Sequence, residues 1–225
     1  MNRDINPPYS SFNPWFLIPF ILWLVFGGIA LLMFDNRVLF SMVNANHTIF
    51  LDNWMLIITR MGEGVFGAII LLMLLAFNSF RNWWYFSAAL LCNVIPALLT
   101  QFVKSWVNAP RPLNYFKDAP WIHTLPQWER LMERSFPSGH TSTAFCLFCF
   151  LALILTPKYK WLGLIFFILA MAVGYSRIYL AAHFFLDVYV GSIIGVIFTI
   201  LVVALMRQYP HHFYRKAKAE IRRDS

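Results

Sequence analysis

Six ionisable residues stand at the ends of apolar segments, and their types suit the chemistry of phosphate: Lys104, Arg111, His140, Arg177, His183 and Asp187. Ionisable side chains are costly in a membrane and usually mark a functional site there. Arginine presents a fork of donors that matches phosphate oxygens, and lysine adds a point charge. Three such cations at one face of a membrane indicate an anionic ligand, most simply a phosphate group.

The pair His183 and Asp187 has the chemistry of a nucleophile and its orienting partner. Their spacing of four residues places both side chains on one face of a helical turn. The carboxylate can fix the tautomer of the imidazole, which leaves the second nitrogen free to attack phosphorus. His140 can then protonate the departing oxygen, because a histidine pKa of about 6.5 suits either role near neutral pH.

A short turn motif, Pro137-Ser138-Gly139-His140, leads directly into an apolar segment. Backbone N–H groups at the start of a helix attract anions, so this motif can contribute to the same phosphate cradle. Gly139 lets the backbone approach a ligand closely. The sequence therefore predicts Ser138 and Gly139 as phosphate-binding residues beside the three cations.

The elements that must position these residues are membrane helices. Of the 225 residues, 60% are hydrophobic and only 12% are charged, which is too little charge to cover a soluble domain. Six apolar segments predict an all-α polytopic membrane protein with six transmembrane helices in one bundle. They are Trp15–Phe34, a segment that Asp52 caps and that ends near Phe77, Trp83–Val103, Thr141–Thr156, Trp161–Tyr175 and Tyr189–Met206. The chain is predicted to form one domain, 1–225, with its core at 39–206 and a basic cytoplasmic tail at 207–225.

Charge predicts the orientation of the bundle. Six spans place both termini on one side, together with four further basic residues: Arg3, Arg81, Lys158 and Lys160. The positive-inside rule favours cytoplasmic termini, and the active site then faces the outside. The formal net charge is +8, and the basic tail that follows the last span is interpreted as a flank for anionic lipid rather than a nucleic-acid-binding segment.

The longest connection, Lys104–Gly139, predicts one further element. Thr124 and Gln127 have the spacing of a capping box, and apolar residues follow at helical intervals. This pattern indicates a short amphipathic helix at the membrane interface.

Other polar residues have less decisive spacing. Glu63 in the second span can contact a head group or pair with Arg60. His47 and His123 lie in outer loops and are further candidates for substrate contact. The cysteines fit neither a disulfide framework nor a zinc site: Cys92, Cys146 and Cys149.

Three motifs together resemble those of a known family. Lys104–Pro112 is similar to its first motif, K-x6-RP, and Pro137–His140 matches its second, PSGH. Ser176–Asp187 matches the third, SR-x5-H-x3-D. The chain thereby resembles the type-2 phosphatidic-acid phosphatase superfamily of lipid phosphatases, whose site is similar to that of vanadium haloperoxidases and glucose-6-phosphatase.

The resemblance implies a role for each site residue. His183 would be the nucleophile that forms a phosphohistidine, Asp187 its orienting partner, and His140 the general acid and later the base. Five residues would hold the phosphoryl oxygens: Lys104, Arg111, Ser138, Gly139 and Arg177. No metal and no cofactor is implied. The substrate would be a membrane lipid phosphate or diphosphate, with undecaprenyl diphosphate as the first choice and phosphatidylglycerophosphate and lipid A as alternatives.

Two other functions stay open on the sequence. A lipid phosphotransferase would use the same phosphohistidine, and a non-enzymatic lipid-phosphate binder or transporter would need the cations but not His183. A haloperoxidase is disfavoured because those relatives are soluble. We expect a protein of a bacterial inner membrane whose partners are the bilayer and its lipid substrate, without nucleic acid; the oligomeric state stays open.

Overall fold

The computed structural model describes residues 12–77, 80, 83–117 and 119–208, and the regular structure in these ranges is helical. The chain order is α1 (Pro14–Met33), α2 (Asn36–Asn44), α3 (Ile49–Arg60), α4 (Gly64–Leu74), α5 (Trp83–Val107), α6 (Pro112–Tyr115), α7 (Gly139–Ile154), a 3-10 turn (Pro157–Tyr159), α8 (Leu162–Tyr179) and α9 (Phe185–Gln208). The all-α prediction is confirmed for the described residues. Most of the predicted basic tail, together with Arg3 and Arg81, lies outside them.

Helix α7 is the centre of the bundle. Thirteen of its 16 residues are buried, and it packs against α4, α5, α8 and α9. Small residues on α9 let the two backbones approach closely, as is typical of membrane helix pairs. A side chain at Gly191 would begin 2.7 Å from the carbonyl oxygen of Ser138, and one at Gly195 would begin 2.6 Å from that of Ser142.

Within the described ranges, four helices are long and apolar enough to cross a membrane: α1, α5, α8 and α9. Helices α3 and α4 are long and apolar enough only when taken together, and they are bent by 61° at their break. The described part of the chain therefore contains up to five candidate spans. The fourth predicted segment corresponds to α7, which has 16 residues. At about 1.5 Å per residue it is shorter than a hydrocarbon core of about 30 Å, and neighbouring helices cover it.

The second predicted segment differs most from the observed helices. The observed helix α3 begins earlier than predicted, because Thr48 and not Asp52 is its N-cap. The side chain of Thr48 accepts from the N–H of Leu51, and Asp52 lies in the first turn of the helix. The helix then breaks at Gly62. A side-chain carbon at Gly62 would lie 2.8 Å from both Cβ and the carbonyl oxygen of His140, so glycine is what lets the break pack on the start of α7.

The predicted amphipathic helix after Thr124 is wrong, because residues 119–138 form turns and irregular chain wherever they are described. Part of the backbone there bonds to the short stretch of chain between α5 and α6. The N–H of Arg111 donates to the carbonyl of Met132 at 2.9 Å, and the N–H of Ser135 donates to that of Ala109 at 2.9 Å. These bonds hold the segment against the chain between α5 and α6. Helix α2, which lies between the first two predicted segments, was also not predicted.

The break at Gly62 yields the first testable prediction. Gly62→Ala should lower the free energy of unfolding by about 1–3 kcal/mol, because its Cβ overlaps His140 and Val173. Gly64→Ala is the matched control, since nothing lies within 4 Å of its added Cβ. Denaturation of the two variants in detergent measures the difference, and equal stabilities would contradict the close packing.

Candidate active site

The eight predicted site residues lie where helices begin or end at one end of the bundle. Near the end of α5 lie Lys104 and, shortly after it, Arg111. At the start of α7 lie Ser138, Gly139 and His140. Between the end of α8 and the start of α9 lie Arg177, His183 and Asp187. All except Gly139 and His140 are buried, and these two are half-buried. The helices thus converge as the alternating direction of successive spans predicts.

His183 and Asp187 form a buried pair at the start of α9. The ring Nδ1 of His183 lies 3.4 Å from Oδ2 of Asp187. The same carboxylate oxygen accepts from the N–H of Phe184 at 2.9 Å and from the hydroxyl of Ser135. These donors fix the carboxylate, and the carboxylate in turn orients the imidazole.

The tautomer of His183 follows from its second contact. Its Nε2 lies 3.4 Å from Nη1 of Arg111, and a guanidinium can only donate. Nε2 is therefore the acceptor, and the ring proton belongs on Nδ1, facing Asp187. The lone pair of Nε2 is left on the side of the cations, as a nucleophile towards a bound anion requires.

The backbone between α8 and α9 places His183 beside Arg177. Ala181 has a φ of 53°, a left-handed conformation that turns the chain back after the helix. The N–H groups of Ala182 and His183 consequently both reach the carbonyl of Arg177, at 3.0 and 3.1 Å. The nucleophile candidate and this cation are thus fixed relative to each other.

Burial is the main cause that lowers the pKa of His183 well below its usual value, and the charges of Arg111, Arg177 and Lys104 act in the same direction. The neutral imidazole is the nucleophilic form, and it predominates above the pKa. A lowered pKa therefore keeps this histidine ready to react at neutral pH and below.

Lys104 and Arg111 are held by backbone carbonyls rather than by carboxylates. Lys104 Nζ donates to the carbonyl of Arg134 at 2.8 Å. Arg111 donates to the carbonyls of Glu133 at 2.7 Å and Ala182 at 3.0 Å. Among the described residues neither cation forms a salt bridge, so these hydrogen bonds satisfy their donors without cancelling their positive charge.

Arg177 is the most deeply buried of the three cations, with 1% of its surface exposed. Its Nη1 donates to the hydroxyl of Thr59 on α3 at 2.7 Å, and its guanidinium carbon lies 5.0 Å from the centre of the Trp128 ring. The arrangement fixes the plane of the guanidinium and leaves its remaining donors for a ligand.

Ser138 caps the start of α7, where an anion-binding end was predicted. The hydroxyl of Ser138 accepts from the hydroxyl of Thr141 at 2.8 Å and from its N–H at 3.4 Å. The N–H of Ser138 donates to the carbonyl of Asp187 at 3.0 Å, which ties α7 to the start of α9. Gly139 faces Lys104, whose Cε would lie 3.8 Å from an added Cβ.

His140 stands at the rim of the site, beside a cavity of about 260 Å³. The cavity is also lined by Glu63, Thr100, Gln101 and Thr143, so it lies between the start of α4 and the end of α5. Lys104, Arg111 and Arg177 all act on the His140 ring through their charges, as the ring does on His183. Glu63 forms no ion pair with Arg60 in the described part of the chain.

Two histidines that were candidates for substrate contact form a separate cluster instead. His123 Nε2 lies 2.7 Å from Oδ1 of Asp52, which also accepts from the hydroxyl of Tyr179 at 2.5 Å. The ring of His47 stacks on that of His123 at 3.8 Å. The cluster fastens the long loop to α3 and α8 and touches neither His183 nor Asp187.

Sequence reasoning missed three residues that contact the site. Ser135 donates to Asp187, Thr59 accepts from Arg177, and Trp128 covers Arg177. None stands at a spacing that marks it, because each contact is made across the bundle or by irregular chain. Only Ser135 stands close to a motif, two residues before Pro137, and this position alone does not predict its contact with Asp187.

The geometry agrees with what comparison of the whole chain finds. A model of the PAP2 superfamily matches residues 81–210, more than half of the sequence. The chain belongs to the PAP2 superfamily of membrane lipid phosphatases. The resemblance drawn from the three motifs is thereby confirmed.

Relatives of this PAP2 protein carry several names. It is 31% identical over 130 residues to phosphatidylglycerophosphatase B of Bacillus subtilis, an alignment that spans 55% of this chain and 59% of the relative. It is 28% identical over 181 residues to an undecaprenyl-diphosphatase of Sulfolobus acidocaldarius, spanning 80% and 82% of the two chains.

A solved structure has the same fold. It is a transmembrane PAP2-type phosphatidylglycerolphosphate phosphatase from Bacillus subtilis, with a TM-score of 0.66, 23% identity, and coverage of 87% of this chain and 98% of that one. The PAP2 protein described here is therefore an integral membrane protein with several transmembrane helices.

The environment of His183 predicts the pH dependence of this PAP2 protein. With His183 as the predicted nucleophile in its neutral form, its lowered pKa places the acidic limb of kcat/KM below pH 6.5. Lys104→Gln removes one cation that opposes protonation, so the limb should move to higher pH by about 0.5–1 unit. The pH profile of the residual activity measures the shift.

Arg37→Gln is the matched control for this shift, because Arg37 is paired with Asp35 on the surface at 2.7 Å. Its acidic limb should coincide with that of the wild type. A limb that moved to lower pH in Lys104→Gln would contradict the electrostatic argument.

Proposed function

We propose that the chain removes phosphate from a membrane lipid through a phosphohistidine on His183. The observation that carries the proposal is the orientation of His183, whose Nδ1 faces Asp187 and whose Nε2 faces Arg111. A binding protein needs the cations but has no use for an oriented, buried imidazole. The arrangement therefore favours an enzyme over the non-enzymatic binder.

In the first half-reaction, Nε2 of His183 forms a bond to phosphorus as the bond from phosphorus to the lipid oxygen breaks. His140 donates a proton to the departing oxygen. Asp187 stabilises the positive imidazole ring that results. The charge that develops on the phosphoryl oxygens is balanced by Lys104 and the two arginines, which the protein holds in a water-poor site before reaction begins.

In the second half-reaction, water attacks phosphorus and gives a proton to His140, and the bond between phosphorus and Nε2 breaks. Inorganic phosphate leaves, and both histidines return to their starting states. We propose that no metal takes part, since the cations and the start of α7, with Ser138 and Gly139, can hold all the phosphoryl oxygens.

The lipid would reach the site from the bilayer, between α4 and α5. Besides the polar cavity at His140, these two helices flank an apolar cavity of about 230 Å³, with Phe150 of α7 in its wall. Ala68, Leu71 and Ala89 line it towards the opposite end of the helices. A head group beside His140 and a hydrocarbon tail along α4 and α5 match these two environments.

Undecaprenyl diphosphate is the substrate we place first, and phosphatidylglycerophosphate and lipid A are the alternatives. The name of the Sulfolobus relative, which aligns over 80% of this chain, supports the first choice, and that of the Bacillus relative supports the second. With undecaprenyl diphosphate the leaving group is a lipid monophosphate. With phosphatidylglycerophosphate or lipid A it is an alcohol group of the lipid.

We further propose that α7 is a sixth, shielded span, that both termini are cytoplasmic, and that the site faces the outside of a bacterial inner membrane. The ends of α5 and α8 and the starts of α7 and α9 all lie at the site, as antiparallel spans require. Lys158 and Lys160 lie in the turn at the opposite end of α7, where the positive-inside rule expects them.

Phosphate release by the purified protein in detergent with EDTA tests the mechanism. The lipid panel contains undecaprenyl diphosphate, phosphatidylglycerophosphate, phosphatidic acid and lipid A. We expect turnover that survives EDTA and falls at least about 1000-fold in His183→Ala, because the nucleophile is lost. Activity unchanged in His183→Ala would overturn the proposal, and phosphate transfer seen only with an acceptor lipid would identify the phosphotransferase.

The tail position can be tested separately. Ala68→Phe fills the apolar cavity and should lower kcat/KM several-fold for a long prenyl chain, but not for a short-chain analogue. Val65→Phe on the same helix is the matched control, because Val65 is exposed and does not line the cavity. Equal effects of the two variants on both chain lengths would contradict the proposed route.

A further inference from the structure

Two neighbouring side chains at the site each keep a buried N–H group without an acceptor among the described residues. They are the indole Nε1 of Trp128 and the Nε of Arg177. Buried donors are nearly always hydrogen-bonded, so an unpaired one calls for an explanation. Here the two residues are stacked, with the guanidinium carbon 5.0 Å from the ring centre.

The position of Trp128 is fixed by the loop that carries it. The side chain of Asn44 accepts from the N–H of His123 at 2.9 Å and donates to its carbonyl at 3.0 Å. It also donates to the carbonyl of Tyr179 at 2.8 Å. Further along, Leu125 is buried, and its carbonyl accepts from the N–H of Trp128 at 3.0 Å. A loop so firmly bonded presents its indole at a defined place.

That place is beside a cation whose charge acts on His183. The carbonyl of Arg177 accepts from the N–H of His183 at 3.1 Å, so Arg177 and the nucleophile candidate belong to one short piece of rigid backbone. A ring stacked on Arg177 therefore borders the space that a phosphoryl group would occupy in front of His183. Arg177 can offer its free Nε there, and the indole can offer a second donor from the loop side.

We propose that Trp128 is a further phosphate-binding residue, whose indole N–H donates to an oxygen of the phosphoryl group held by Arg177. The inference rests on the proposed function in so far as the ligand is a phosphoryl group. It assigns a ligand contact to the part of the long loop that lies between the first and second motifs, residues 113–136. The shared chemistry fits both the lipid phosphate and the inorganic phosphate that is released.

The test separates the indole N–H from the ring. Trp128→Phe keeps an aromatic ring over Arg177 and removes the donor, and incorporation of benzothienylalanine at position 128 replaces the N–H by sulfur in a ring of the same shape. The second variant keeps the test decisive if the first does not fold. Both are compared with the wild type by inorganic phosphate affinity and by kcat/KM on the lipid.

We expect both variants to bind inorganic phosphate about tenfold more weakly and to lose about tenfold in kcat/KM, as for one hydrogen bond to an anion. Trp121→Phe is the matched control on the same loop. Trp121 is 46% exposed and packs on Phe40 and Phe116, away from the cations, so both quantities should equal those of the wild type.

Wild-type values of either quantity in a folded Trp128 variant would overturn the inference. Phosphate affinity that stays unchanged while kcat/KM falls would place the indole against another part of the lipid. The proposed function fails in a different way, since the wild type itself would then release no phosphate from any lipid, whether or not it binds phosphate.

Discussion

The arrangement of the site follows from one electrostatic constraint, the burial of three cations close together without a salt bridge to a carboxylate among the described residues. A buried charge needs polar partners, and here Lys104 and Arg111 find them in backbone carbonyls. A carbonyl satisfies hydrogen bonds without cancelling charge, so the field at His183 stays positive. Asp187 is the exception, and it lies behind the ring, where it orients the imidazole instead of occupying the phosphate side.

This constraint also explains why the long loop is irregular. The carbonyls of Glu133 and Arg134 accept hydrogen bonds from Arg111 and Lys104, so the path of this part of the loop follows the positions of the two cations. The left-handed conformation of Arg134, with a φ of 57°, belongs to the same path. A segment with helical spacing thus gives up its own hydrogen bonds, and tertiary contacts outweigh its local preference.

The sequence predicted the parts of the site that depend on spacing along one helix or on the alternation of spans. The separation of His183 and Asp187 and the shared end of α5, α7, α8 and α9 are of this kind. It could not predict Thr59, Ser135 or Trp128, because those residues act through contacts that exist only after the bundle and the loop have packed. The helix break at Gly62 was not predicted for the same reason, because Gly62 packs on His140, which is far away in the sequence.

The three buried cations link the stability of the fold to the binding of an anion. Three like charges that repel one another in a site of low dielectric constant lower the free energy of unfolding of the free protein. An anion that binds between them relieves this repulsion and, by mass action, stabilises the folded state as its concentration rises. Under the proposed function, phosphate binding and the thermodynamic stability of this end of the bundle are therefore linked, because the substrate would supply the negative charge that the three cations lack.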